Sequence, residues 1–575
     1  MAILEFPKLE DNLPELPDGV DRAMDVAILV LWWTYIPILA KYLFSLFLAF
    51  SLTLCSALRS WSQWTPHWPD NPPRVTVIIP AYNEEVGIAK TIKSVINTKY
   101  PNLEIIVAND GSTDKTHERI MTFIRKFKKS NREWEKQNGY APPDAATIKY
   151  MKLVNGGKAN AMNHAIKAVD ETSEFVMTLD ADSVMHHDYI RQMMDTFELY
   201  PQAGAVAGNV LVANRSRLIG VIQQVEYVTG FFSKRADSVM NAVYIIGGAA
   251  AAYRTWVLDE VGKFDHSIIT EDIELSTRIL ACGIPTKYAH NAVVYTEGPS
   301  DWMGLMNQRL RWKFGRFLTF LKHRSLFFSI TNSNMYFCWV MLPVSVHMEV
   351  FLFFAPWLIV PFCLFYALYR NPVIFVYVLG GLCVVVLLEI LVDKHRCFHI
   401  NLLFLAPLNW IAATLIELVE WTALLRSIRR LMTGAGLQWQ KWDRKGLAVD
   451  VGSEVDGLES VASDIVSVIS TGNPPPAPGS PRSGPRSPYR SRGPGSLPSV
   501  PEVDNDTRSR LGGVGDDLSS GHPLALSRVS GLSQIEYHYS FGRLEESEED
   551  EADENDEEES VWWYALPKAH SFAVV

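Results

Sequence analysis

The sequence predicts an α/β domain of alternating strands and helices, set between membrane-spanning helices and followed by a long tail without a packed core. Three observations carry this prediction. Between Arg74 and about Pro299, short apolar runs alternate with helix-length stretches, the pattern of a mostly parallel sheet covered on both faces. On either side lie apolar stretches as long as the ~20 residues that a bilayer crossing needs. From about Gly446 the apolar period disappears, and Asn473–Pro501 is rich in Pro, Ser, Gly and Arg. Such a composition cannot bury enough surface to offset chain entropy, so disorder is expected from 446 to 575.

Composition narrows the partners. The 575 residues are 48% hydrophobic and 11% aromatic, high for a purely soluble protein. The formal charge of −11 is a poor guide, because 12 acidic side chains lie within Glu545–Glu559 alone and the remainder is close to neutral. Neither steering of basic partners nor nucleic-acid binding is expected. Six cysteines (Cys55, Cys282, Cys338, Cys363, Cys383 and Cys397) are scattered without metal-ligand spacing and read as small hydrophobes.

In chain order, residues 1–23 are acidic and proline-punctuated, with no secretory signal. Met24–Leu58, almost uninterruptedly apolar and broken by Pro37 and Lys41, reads as one tilted span. The acidic flank before it, and Arg59 and Arg74 after it, place the following domain in the cytosol. Val75–Pro80 and Leu103–Asn109 are strands, the second ending in Asp110-Gly111-Ser112-Thr113-Asp114. Lys115–Asp144 is a helix with an exposed excursion, Tyr150–Val154 a strand, and Gly156-Gly157-Lys158 opens a helix to about Val169. The strand Glu174–Leu179 ends in Asp180-Ala181-Asp182, and a helix near Tyr189–Leu199 and a strand Ala203–Gly208 follow.

After the domain, Trp302–His323 sets Trp, Met, Leu and Phe beside Arg309, Arg311, Lys313, Arg316 and Lys322. That mixture fits an amphipathic helix lying on a membrane surface. Within 324–430, Val350–Tyr369, Val373–Val392 and Ile400–Leu425 are long enough to span and Phe327–Val346 is borderline, so three or four C-terminal spans are expected. Glu389, Glu417 and Glu420 are functional candidates as ionisable groups in spans, or else lie at helix ends. The tail is expected to be cytosolic and phosphorylatable at Ser480 and Ser487, with its Asn505-Asp506-Thr507 sequon unmodified.

Candidate chemistry gathers at the strand ends. Asp180 and Asp182 are two hard oxygen donors of the kind that hold Mg²⁺ or Mn²⁺ on a diphosphate. Asp110 and Asp272 lie in neighbouring loops, and Gly156-Gly157-Lys158 offers a close backbone approach and a cation at a helix N-terminus. Each has a plainer reading as a solvated turn, a loop or a helix cap. Their joint placement along the edge of one α/β sheet, where ligands bind, favours a site.

These motifs resemble a known family. Val77–Glu84, Asp110–Asp114, Gly157–Asn163, Asp180-Ala181-Asp182, Thr270-Glu271-Asp272 and Gln308-Arg309-Leu310-Arg311-Trp312 are similar to those of the family 2 glycosyltransferases, across about residues 75–315. They are most similar to the membrane-embedded processive branch that includes cellulose, chitin and hyaluronan synthases. The resemblance implies a GT-A (Rossmann-like) cytosolic domain in a multi-pass plasma-membrane protein. It also implies inverting, metal-dependent transfer from a UDP-sugar to a growing polysaccharide, with export through the bilayer. By resemblance, Asp272 is the catalytic base. Tyr82, Glu84 and Asp110 hold the uridine side, and Lys158 and Arg311 the phosphates. Asp182 with Asp180 holds Mn²⁺ or Mg²⁺, and Gln308 and Trp312 face the acceptor. Asn109 departs from the family's second aspartate, and Gly247–Arg254 is a bland form of the acceptor loop. Transfer of a single sugar to a membrane lipid is the rival enzyme reading, and a non-catalytic membrane scaffold the rival outside catalysis.

Overall fold

The computed structural model describes residues 18–61, 71–142, 146–215, 217–370, 373–392 and 396–434. The tail with its acidic block, sequon and Ser-Pro sites, and residues 1–17, lie outside the described residues, as do the expectations made for them. The first element is α1 (Asp18–Trp61), a single helix that runs through Pro37.

The domain begins with β1 (Arg74–Ala81), α2 (Ile88–Asn97), β2 (Leu103–Asp110) and α3 (Thr116–Asn138). Then come β3 (Thr147–Leu153), α4 (Lys158–Lys167), β4 (Ser173–Thr178), β5 (Ser183–Met185), α5 (Tyr189–Leu199) and β6 (Ala205–Val212). After α6 (Leu218–Val239) follow β7 (Ala251–Arg254), α7 (Thr255–Val261), α8 (Glu271–Ala281), β8 (Thr286–Thr296) and α9 (Trp302–Lys322). The strands make one sheet in the order β3-β2-β1-β4-β7-β6-β8-β5.

β1 and β2 sit inside this sheet because they are apolar on both faces, as an interior parallel strand must be. Val75, Val77 and Ile79 pack with Ile88, Ile92 and Val95 of α2 and with Tyr189, Ile190 and Phe197 of α5. Ile78, on the other face, packs with Ala161, Met162 and Ala165 of α4 and with Leu275 and Ile279 of α8. The period of two along the strand thus distributes the helices to both sides.

The sheet is more mixed than the alternation of elements implies. β1 is parallel to β2 and β4, but β7 runs antiparallel to β4 and β6, and β5 antiparallel to β8. These two strands span only four and three residues, too few to set up a periodic signal. The order turns back at β1, which lies between β2 and β4, and the carboxyl ends of these three strands open the crevice where ligands bind in such sheets.

Among the described residues, three helical stretches are long and apolar enough to cross a membrane, Arg22–Ser51, Phe337–Tyr366 and Ile400–Thr433. The second joins two segments that the sequence separates. It runs through α10 (Leu342–Phe354) and α11 (Val360–Arg370), with widened π turns at Phe337–Met341 and Ala355–Ile359. Pro343, Pro356 and Pro361 lie in or just after these turns, and a widened turn absorbs a missing N–H without ending the helix. Then come α12 (Val373–Val392), whose apolar stretch Leu379–Leu391 is shorter, α13 (Ile400–Leu405) and α14 (Asn409–Thr433). α6 leaves the sheet to pack along α1 and α14, and α9 packs between α8 and α14. The domain is therefore built into the helical bundle through α6 and α9.

Candidate functional site

The crevice is shaped first by a joint between the β2 end and the loop before α4. Asp110 is buried, and its two carboxylate oxygens accept the backbone N–H groups of Gly156 at 2.8 Å and Gly157 at 2.9 Å. Burial raises its pKa above the ordinary carboxylate value, with the two N–H groups pulling the other way. Gly111 has φ +70°, and a Cβ there would meet Asn155 N at 2.7 Å, so the approach demands glycine. Asn109 donates its amide N–H to Tyr150 Oη at 3.0 Å, while its Oδ1 accepts the Ser112 N–H at 3.0 Å.

The β1 end is tied to the same loop. The Asn83 N–H donates to Ser112 Oγ at 2.9 Å, its Oδ1 accepts the Thr113 N–H at 2.8 Å, and the Glu84 N–H donates to Thr116 Oγ1 at 2.7 Å. Half-buried Tyr82 and buried Glu84 lie in this loop beside Asp110.

Across the crevice the charged groups form a continuous line. Lys158, at the start of α4, places Nζ 2.6 Å from Asp180 Oδ1 and 3.5 Å from Glu271 Oε1. Burial works to lower its pKa, but Asp180, then Glu271 and Asp272, outweigh that and hold the ammonium above its usual range. Burial raises Glu271, with Asp272 adding to the effect and Lys158 and Arg311 opposing it. Asp272 lies beside Glu271 in the first turn of α8. Its Oδ2 accepts the Gly248 N–H at 3.1 Å and its Oδ1 the Ile273 N–H at 2.9 Å, so the backbone orients both oxygens. Over Gly247 there is open space: an added Cβ would find one neighbour within 4 Å, Asp272 Oδ2 at 3.9 Å.

Asp182 is half-buried at the same turn as Asp180, and its Oδ1 accepts the Ser183 hydroxyl at 3.1 Å. Among the described residues, no group of three or more His, Cys, Asp or Glu is placed to hold a metal ion. Two half-buried carboxylates fit a hard divalent ion that takes its remaining oxygens from phosphate and water. They do not fit a cage made wholly of protein.

The last side of the site is α9, which rests on the Thr270-Glu271-Asp272 turn: a Cβ on Gly315 would lie 2.2 Å from Thr270 Oγ1. Arg311 and Trp312 are half-buried and Gln308 is buried. The expectation of a helix lying on the membrane surface is revised here. Arg309, Lys313 and Arg316 point inward and pair with Glu226, Glu349 and Glu420. Lys322 pairs with Asp265 and Glu274. Composition marked the helix as amphipathic but could not say that carboxylates, rather than lipid headgroups, meet its cations. Glu271, Gly248 and Glu226 were also given no role by the sequence; Glu271 and Gly248 sit within quoted segments, and Glu226 in none.

Residues 72–315 match the family described as "Glycosyltransferase like family 2". This segment is a family 2 glycosyltransferase domain. The stretch is 35% identical over 244 residues to the poly-beta-1,6-N-acetyl-D-glucosamine synthase of Staphylococcus epidermidis, covering 42% of this chain and 54% of that protein. It is 34% identical over 242 residues to the synthase of the same name from Staphylococcus aureus strain COL, with coverage of 42% and 54%. The chain thus spans about half the length of these curated relatives. Among solved structures, the Pyrobaculum calidifontis mannosyltransferase PcManGT, in complex with GDP-Man and Mn²⁺, is 22% identical with a TM-score of 0.38, covering 66% of this chain and 99% of its own. The matched residues 72–315 take in every strand of the α/β sheet, and the apolar helices lie outside them as candidate spans.

Proposed function

We propose that the chain is an inverting, processive hexosyltransferase that extends a polysaccharide from a UDP-sugar at the cytosolic face of the plasma membrane. The observation that carries this reading is the line Asp180–Lys158–Glu271–Asp272 at the carboxyl end of the sheet. It offers a polyanion site and a carboxylate base side by side, within a domain 35% identical to a polysaccharide synthase. The names of the two relatives make UDP-N-acetylglucosamine the first donor to try.

In this reading Asp182 with Asp180 holds Mn²⁺ or Mg²⁺, which when bound neutralises charge on the diphosphate. Lys158 and Arg311 bind the phosphates, and Tyr82, Glu84 and the Asp110 loop enclose the nucleoside. Asp272 takes the proton from the acceptor hydroxyl as its oxygen attacks the anomeric carbon. The new glycosidic C–O bond forms as the C–O bond to the β-phosphate breaks, and the electron pair leaves on UDP. The diphosphate needs no proton to depart, so one base suffices where a glycosidase uses two carboxyl groups. Gln308 and Trp312 face the acceptor, and the apolar helices beside α6 and α9 give the product a route across the bilayer.

The test is the full chain in detergent with a panel of UDP-sugars and Mn²⁺ or Mg²⁺, scoring UDP release and product size. Polymer from one donor is the expected result. A single-sugar lipid product would turn the reading to a lipid glycosyltransferase, and no UDP release with any donor would remove the enzymatic reading.

A further inference from the structure

Arg309 occupies a position that the Gln-x-x-Arg-Trp pattern leaves open, yet it is wholly buried, 0% exposed. A guanidinium taken out of water costs several kcal/mol unless every side of it is met. Here its charge is met by groups of two kinds, with Nε held by ion pairing alone and not by a hydrogen bond. Two carboxylates hold it from other helices: Glu226 of α6 pairs with Nη2, and Glu420 of α14 lies 3.1 Å from Nε. The remaining contacts are to the motif itself. Nη1 donates to Gln308 Oε1 at 2.6 Å, and the guanidinium carbon sits 4.2 Å from the centre of the Trp312 ring.

The pairing continues along α9. Lys313 meets Glu420 at 2.7 Å and Glu349 of α10 at 2.8 Å, and Arg316 meets Glu349 at 3.1 Å. Positions 309, 313 and 316 share one helix face, so three cations balance three carboxylates from three helices. Glu349 and Glu420 lie in two of the candidate spans, whereas Glu226 belongs to the domain. A network of this kind is weak evidence for added stability and better evidence for a fixed arrangement. A lysine at 309 could balance the charge, but it has neither the planar fork that reaches Glu226, Glu420 and Gln308 together nor the flat face that stacks on an indole.

We propose that Arg309 is a positioning residue: held by Glu226 and Glu420, its guanidinium fixes the Gln308 amide and the Trp312 ring, and so sets the acceptor end of the site in register with α14. The assignment of Trp312 to the acceptor rests on the proposed glycosyl transfer; the fixing of the ring does not.

The experiment uses the full chain in detergent and the variant Arg309→Lys. Its first readout needs no substrate. With 5-fluorotryptophan incorporated, the Trp312 ¹⁹F resonance is identified as the line missing from Trp312→Phe, and Arg309→Lys should shift it. A Trp312 line unmoved in Arg309→Lys overturns the proposal. The second readout uses UDP-N-acetylglucosamine with a β-linked N-acetylglucosamine oligosaccharide as primer. Arg309→Lys should depress elongation about tenfold more than donor hydrolysis, since misplaced acceptor groups act on transfer. In a Trp312→Ala background the same substitution should add less than about twofold, because coupled residues are not additive. Losses that multiply in that background, or fall equally on hydrolysis and elongation, overturn the proposal. If Arg309→Lys loses its cooperative melting transition, Glu420→Asp, which keeps the charge but retracts it by one methylene, takes its place with the same expected and overturning results. A wild-type protein inert to all UDP-sugars refutes the functional reading, and the fluorine resonance then decides the positioning on its own.

Discussion

Gly315→Ala tests whether α9 and the Thr270-Glu271-Asp272 turn form a rigid joint. Glycine inside a helix is unfavourable by roughly 1 kcal/mol relative to alanine, so its presence at mid-α9 needs a reason. The reason is contact: an added Cβ would lie 2.2 Å from Thr270 Oγ1, 2.5 Å from its Cγ2 and 2.8 Å from its Cβ. Thr270 is 4% exposed and β-branched, so it has no inexpensive rotamer to escape into. Carbon contacts relax at about 3.5–4.0 Å, and the two elements must therefore separate by on the order of 1 Å. Overpacking of this kind costs about 1–3 kcal/mol; the gain in helix propensity of ~1 kcal/mol reduces the net loss to roughly 0–2 kcal/mol. Turnover should fall much further. Asp272 lies two residues beyond Thr270 and Trp312 three before Gly315, and a 1 Å misplacement of reacting groups is worth about a hundredfold. The assay is thermal melting beside UDP release. Thr270→Ala in the same protein removes Oγ1 and Cγ2, the two nearest atoms, and keeps the 2.8 Å contact to Cβ, and should recover part of both. Wild-type turnover and melting in Gly315→Ala, or no recovery with Thr270→Ala, would refute the joint.

Three further outcomes are expected. Asp272→Asn should keep UDP-sugar binding while turnover falls by roughly 10²–10⁴-fold; near-normal turnover would take the base role away from Asp272. Asp182→Asn should raise the Mn²⁺ concentration needed for donor binding, and a metal titration identical to wild type would remove Asp182 from the ion. Glu274 gives the pH test: burial raises its pKa, but hydrogen bonds from His323 and Lys322, with Arg278, win and bring it down to about 2. A depressed carboxylate contributes stability above its unfolded pKa of about 4.3 and loses it as the pH falls toward 2, on the order of 3 kcal/mol here. Melting of wild type and Glu274→Gln should therefore converge between pH 5 and 2; parallel curves would reject the shift.

Much of the domain was legible because its interior strands are apolar on both faces and its helices are not. Val75–Pro80 and Leu103–Asn109 announce buried parallel strands, and both lie within observed strands. β5 and β7 were missed for want of length. At β7, Ala251 and Ala252 are wholly buried but too small to signal a strand, and what places them is pairing to Met177 and Thr178 of β4, more than seventy residues away. The span Phe337–Tyr366 was divided by a different limit. The division fell at His347-Met348-Glu349, whose polar side chains interrupt the apolar run, whereas in the fold Glu349 pairs with Lys313 and Arg316 and the helix continues.

The site shows the same division between what spacing reveals and what only contact decides. Asp180 and Asp182 at a strand end, and Asp272 at a helix start, declare themselves because their surroundings are local. Lys158 was assigned to phosphate from its place after two glycines, yet its Nζ lies between Asp180 and Glu271. The two assignments are compatible, because an ammonium has three N–H donors and a donor's phosphates can share it with, or displace, the carboxylates that already hold it. Either way the half-buried cation is paired before the donor arrives. Arg309 is the opposite case. Nothing local marks it, since Glu226 is 83 positions away, and its importance follows entirely from three helices converging on one side chain. A motif written as Gln-x-x-Arg-Trp records what faces the crevice; the residue that holds those side chains in place is hidden behind them, at an x.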